Sequence, residues 1–126
     1  MALTSLPSVP LFSGGTQFAQ FFSSTTIPGT STIPCRGAAS ALIQIVGTFT
    51  GTISFQASMD GTTYFALTCI NLATGTAVSS TTATAGQWLI VNCAGFTNLQ
   101  LSSTATASGT VTAIASLSKF LATNPY

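Results

Sequence analysis

Only three side chains in this chain of 126 residues carry a formal charge at neutral pH, Arg36, Asp60 and Lys119, and Glu and His are absent. General acid–base catalysis needs a group titrating near neutrality or a carboxylate with a raised pKa, and a nucleophilic Ser or Cys needs a base beside it. Asp60 is the sole candidate base, and its neighbour Gly61 marks it as a turn residue, since Asp-Gly accepts the positive φ values of a tight type I′ hairpin. One carboxylate is also too few for a calcium cage. Cys35, Cys69 and Cys93 are widely spaced and have no His, Asp or Glu set around them, which supports neither a CxxC redox motif nor a zinc site. They read as small buried apolar residues, with a Cys69–Cys93 disulfide open if their strands face one another. The expected catalytic, cofactor and metal residues are therefore none, and the chain is expected to be no enzyme.

The two cations leave no footprint for neutralising phosphates, so neither nucleic acid nor an anionic membrane surface is expected as a partner. Arg36 is either a solvated cation or an interface anchor, and it is the better anchor of the two because guanidinium pairs specifically with carboxylate. Trp88 and Tyr64 raise the question of sugar stacking. Trp88 sits among Leu, Ile and Val, which favours a core position, whereas Tyr64 is the better candidate for a half-exposed ring.

The elements that must position these residues are strands. Hydrophobic residues make up 46% of the chain, yet no apolar run approaches the roughly 18–20 residues of a spanning helix. Ser and Thr account for 39 positions, standing where Lys and Glu usually stand, and a β-branched polar face built from Thr favours sheet. Residues 41–49 are almost continuously apolar and predict a central buried strand. Residues 52–58 alternate, with Ile53, Phe55 and Ala57 on one face, after a tight connection at Thr50-Gly51. Beyond the Asp60-Gly61 turn a strand is expected over 64–70. The Thr/Ala/Ser stretch 72–86 holds one edge strand around 76–80, and further strands are expected over 87–93, 98–104 and 110–118. Short strands punctuated by turns predict an all-β chain, an antiparallel β-sandwich of immunoglobulin-like or small jelly-roll type.

Residues 1–40 differ in holding Pro7, Pro10, Pro28 and Pro34 with Gly14, Gly15 and Gly29. They predict an extended N-terminal arm, followed by a sandwich core over 41–120 and a tail over 121–126. Phe12, Phe18, Phe21 and Phe22 concentrate apolar surface in the arm. Those rings either cap the domain's own core or dock on a neighbouring subunit. The first residues lack a basic stretch and carry two prolines where a signal peptide keeps its apolar run, so none is expected.

The run VGTFTGTISFQASMDGTTYFAL over 46–67 resembles a pattern of small tailed-bacteriophage virion proteins, G-T-[FW]-x-G-T-[VI]-x-F-[EQ]-x-S-x-D-G-x-x-[WY]-x-x-L. TGTAVSSTTA at 74–83, QWLIV at 87–91 and SGTVTAIAS at 108–116 match its continuation, so the resemblance covers about 41–118. Here Asn98-Leu-Gln-Leu-Ser102 replaces an Arg-rich strand. The resemblance implies a virion structural protein assembled in the host cytoplasm. The expected role is a head decoration, or cement, protein on the outer capsid surface, binding the major capsid protein and itself as a homotrimer. The alternative it leaves is a tail, baseplate or fibre module that binds a host-surface glycan.

Overall fold

Alternation of apolar and polar residues continues well before residue 41, and the sheets begin there too. The computed structural model describes residues 16–119. Its strands are β1 (Thr16–Thr26), β2 (Thr30–Pro34), β3 (Ser40–Thr50), β4 (Ile53–Ser58), β5 (Phe65–Ala66), β6 (Cys69–Asn71), β7 (Ala77–Val78), β8 (Ser80–Thr81), β9 (Ala85–Ile90), β10 (Asn98–Ser103) and β11 (Ser108–Ser118). One sheet runs β1-β11-β3-β9-β6-β7; the other runs β2-β10-β4-β5, with β8 also paired to β4. All pairings are antiparallel. Two such sheets enclosing one apolar layer form a β-sandwich.

The expected arm is corrected over residues 16–34. β1 pairs along β11 and β2 along β10, so this stretch contributes a strand to each sheet. Adjacent residues of a regular strand face opposite sides, yet Phe21 and Phe22 are both buried, at 6% and 4% exposure. Register shifts between Gln20 and Phe22 and between Phe22 and Thr25 explain this, with Ser24 at φ 47°. A bulge turns the extra residue inward, and the two rings become core. Residues 1–15 and 120–126, which include Phe12 and the expected tail, lie outside the described residues.

β3 is central as expected, held between β11 and β9. Its inward residues make large-to-small layers with their neighbours: Ala115, Ile43 and Trp88 in one, Ala113, Ile45 and Gly86 in the next, Leu117, Ala41 and Ile90 in a third. The facing sheet supplies Ile33, Ile53, Phe55, Ala57, Leu99 and Leu101. The Trp88 ring meets Phe55 across the sandwich at a centroid distance of 5.7 Å and a tilt of 42°. It also spreads over Gly86, where a Cβ would stand 2.8 Å from the indole. Burying such side chains, each contributing about 1.5–3 kcal/mol, is what offsets the entropy of ordering the chain.

The tight connection at Thr50-Gly51 is a corner between sheets, because β3 and β4 lie in different layers. Gly51 has φ 108°, and an added Cβ would approach Ala107 to 2.6 Å, so glycine is required there. The single strand expected over 64–70 is split. β5 stays on β4 and β6 crosses to β9, with Leu67 N–H donating to the Phe55 carbonyl at 2.8 Å between them. Around the expected edge strand, β7 pairs β6 and β8 crosses to β4. The strand expected over 87–93 ends at Ile90.

Candidate functional site

Asp60 lies in the loop between β4 and β5. Its Oδ1 accepts hydrogen bonds from Thr62 N–H and Thr63 N–H, each at 2.8 Å, and from Ser58 Oγ at 3.0 Å. The buried Ser58 hydroxyl in turn accepts from Gly61 N–H at 2.8 Å. The backbone donors of Thr63 and Thr62, with Ser58, hold the carboxyl well below the usual carboxylate range, because they stabilise the charged form. Asp60 is thus committed to the turn. The expected type I′ geometry is corrected: Ala57 pairs with Phe65, which leaves a longer loop. Among the described non-glycine residues only Ser24 and Arg36 have positive φ, while Gly61 sits at 84°. The side chain, rather than two left-handed residues, organises the hairpin.

This loop leaves Met59 and Phe65 exposed, at 73% and 71%. With Ala57, Ala66 and Phe96 they line an apolar groove of about 280 Å³ that has Asp60 at its rim.

The second surface is the outer face of the six-stranded sheet. Phe18, Ser116, Leu42, Leu89 and Ile70 stand opposite one another in an unbroken row across five strands. A parallel row is Gln20, Ile114, Gln44 and Gln87, where Gln87 Nε2 donates to Gln44 Oε1 at 3.1 Å. Thr112, Val46 and Ala85 make a third. Phe18 is 70% exposed and Val46 50%. A depression of about 350 Å³ lies between Phe18, Leu42 and Ile114. No residue of these three rows carries a charge.

The other candidate residues scatter. Of the arm's rings, Phe18 is on the outer face, Phe21 and Phe22 are in the core and unable to meet a partner, and Phe12 lies outside the described residues. Arg36 is exposed at φ 55°, in the turn between β2 and β3 beside Gly37 at 82°. Lys119 is exposed, Tyr64 is half-buried, and Trp88 is fully buried. That burial leaves Trp88 no face for a sugar. All three cysteines are free and buried. Cys69 does not face Cys93, because the β6–β9 register sets Ile70 opposite Leu89 and the chain leaves the strand before Cys93. Among the described residues no cluster of three His, Cys, Asp or Glu could hold a metal ion.

Sequence reasoning missed the outer face, although its signal was present. A strand that is apolar at nearly every position is the pattern of one covered on both faces. In β3, Ala41, Ile43 and Ile45 face the core, while Leu42 and Val46 point the other way, with no other layer of the described chain over them.

No protein-family model matches the chain, and no curated protein matches it in sequence. Two solved structures are similar. The SPBc2 prophage-derived protein YomS matches with a TM-score of 0.70 and 19% identity, covering 81% of this chain and 91% of that one. The PBSX exported protein XepA matches with a TM-score of 0.69 and 21% identity over 81% of this chain. The chain spans just over a third of XepA, since the match covers 37% of that protein. At these identities the likeness is one of fold: the chain has the β-sandwich fold seen in two prophage-derived proteins.

Proposed function

We propose that this chain is a bacteriophage virion structural protein of the capsid decoration type, whose outer sheet face is covered by another subunit in the assembled particle. The observation that carries the reading is β3, apolar on both faces and covered by its own described chain on one. The virion-like sequence pattern and the two prophage-derived fold neighbours support the phage setting. Attachment buries the Phe18, Leu42, Leu89 and Ile70 row against the major capsid protein or a second copy, the chain acting as a symmetric oligomer, a trimer by expectation. Phe12 and Arg36 remain candidate contacts. A specific interface of standard size, roughly 1,600 Å² in total, needs no salt bridge, and Ser, Thr and Gln fill its polar positions without the desolvation cost of an ion.

A second reading, a tail or fibre module that binds glycan, is favoured by one observation, the Met59, Phe65 and Phe96 groove with Asp60 at its rim. Copy number separates the two. Densitometry of purified particles is expected to show the chain near stoichiometry with the major capsid protein; tens of copies or fewer per particle would replace the decoration reading by the tail reading. Because few charges take part, attachment should hold from low salt to about 1 M, where the Debye length has shrunk to roughly 3 Å. Release by moderate salt alone would refute this mechanism of attachment.

A further inference from the structure

Two of the three cysteines meet at one end of the sandwich. Cys35 lies in the connection from β2 to β3 and Cys93 in the connection from β9 to β10, and each of these connections crosses from one sheet to the other. Each cysteine heads a turn: Ala38 N–H donates to the Cys35 carbonyl at 2.9 Å, and Phe96 N–H donates to the Cys93 carbonyl at 3.2 Å. The two turns are then bonded to one another, Cys35 N–H to the Thr97 carbonyl at 2.8 Å and Cys93 N–H to the Ala39 carbonyl at 2.7 Å. Cys93 Sγ donates to the Ala38 carbonyl at 3.6 Å, which sets its sulfur against the turn that Cys35 heads, and each of the two thiols shifts the ionisation of the other. Both residues are fully buried.

Core thiols that only fill space have no need to act on one another, and Cys69, which has no thiol partner, illustrates that case. Its Sγ donates to the Leu67 carbonyl at 3.8 Å, and burial pushes its thiol up to about 12. At the pair Cys35 is raised and Cys93 is lowered from the ordinary thiol range, each through the other. The lower-lying sulfur is the nucleophile of such a pair.

We propose that Cys35 and Cys93 form an oxidisable dithiol that closes, on exposure to a peroxide, to a disulfide stapling the two sheet-crossing connections together. Cys93 gives up its thiol proton and its sulfur attacks one peroxide oxygen; the O–O bond breaks and the departing hydroxide takes up that proton, leaving Cys93 sulfenic acid and water. The Cys35 sulfur then attacks the sulfenic sulfur, the S–O bond breaks, and the departing hydroxide takes the Cys35 thiol proton and leaves as a second water. Two thiols and one hydrogen peroxide thus give one disulfide and two waters. The inference goes beyond the virion reading and does not depend on it. That reading adds only a setting, in which a protein made in a reducing cytoplasm is afterwards exposed to an oxidising exterior.

The test uses the purified full chain, reduced and then treated with hydrogen peroxide. Denaturing mass spectrometry without reductant should show a loss of about 2 Da, with a Cys35–Cys93 linked peptide in the digest and full reversal by dithiothreitol. Closing so long a loop should raise the thermal midpoint by roughly 10 °C. Cys35→Ser and Cys93→Ser should each abolish the mass loss and the shift, and Cys69→Ser should keep both. Should either Ser variant fail to fold, Cys35→Ala and Cys93→Ala make the same comparison, and the linked peptide from the unsubstituted chain decides on its own. Unchanged mass, oxygen addition without a cross-link, or a link through Cys69 would each overturn the proposal.

Discussion

Replacing Gly86 by Ala isolates the packing of Trp88, the chain's one tryptophan. Gly86 is in β9, opposite Ile45, with backbone angles that any residue adopts. An Ala there should gain about 0.5–1 kcal/mol from lower unfolded-chain entropy. Against this, the new Cβ would stand 2.8 Å from Cη2 of Trp88 and 3.3 Å from Cζ2 and Cζ3, where relaxed carbon contacts are about 3.5–4.0 Å. The indole must therefore move by several tenths of an ångström, and it is fully buried against Phe55. Overpacking of that kind costs about 1–3 kcal/mol, so the net expectation is a loss of about 1–2 kcal/mol. Urea unfolding followed by far-ultraviolet circular dichroism measures this in Gly86→Ala, Trp88→Phe and the double variant. Phenylalanine lacks the outer indole atoms that the Cβ strikes. In the Trp88→Phe background Gly86→Ala should thus be neutral or slightly stabilising, a coupling of about 1.5–2 kcal/mol, within the range for residues in contact. If Gly86→Ala has the same effect in both backgrounds, or stabilises the unsubstituted chain, the indole does not rest on Gly86 and the layer described above is wrong.

The neighbouring rings of β1 should separate cleanly. Phe22→Ala is expected to cost about 3–5 kcal/mol in denaturant unfolding, whereas Phe18→Ala should stay within about 0.5 kcal/mol yet weaken attachment to particles in a co-sedimentation assay. Similar losses of stability at both positions would contradict the bulge that turns Phe22 inward. Asp60 sets an acid limb to stability. Its folded pKa is lowered, so its contribution is complete above the unfolded value, about 3.9, and is lost as pH falls further and the folded carboxyl takes up its proton. With no Glu or His in the chain, the urea midpoint should be flat from about pH 5 to 7 and fall below pH 4. Asp60→Asn should reduce that fall, and an unchanged acid limb in this variant would show that the Ser58, Thr62 and Thr63 bonds do not act on the carboxylate.

Much of the sheet was legible because strand information is local. The period-2 pattern of Ile53, Phe55 and Ala57 in β4, of Leu99 and Leu101 in β10, and of Val111, Ala113, Ala115 and Leu117 in β11 corresponds to buried faces in the structure. Phe21 and Phe22 were not assignable in this way, since a one-residue bulge reverses which face a side chain takes. The break at Leu67-Thr68 escaped for a related reason: a chain that changes sheets keeps its extended pattern.

By itself the sequence determined the charge-poor surface and the all-β architecture. Composition is the same in every conformation, and alternation is a property of neighbouring residues. Tertiary structure alone decided what covers what: that among the described residues Leu42 and Val46 of β3 are left without a layer while Ile43 and Ile45 gain one, and that Cys93 comes to lie against the turn headed by Cys35 rather than against Cys69. Alternation shows that a strand has two faces, but what lies against each face is set by segments distant in the chain. Those contacts exist only once both sheets have closed.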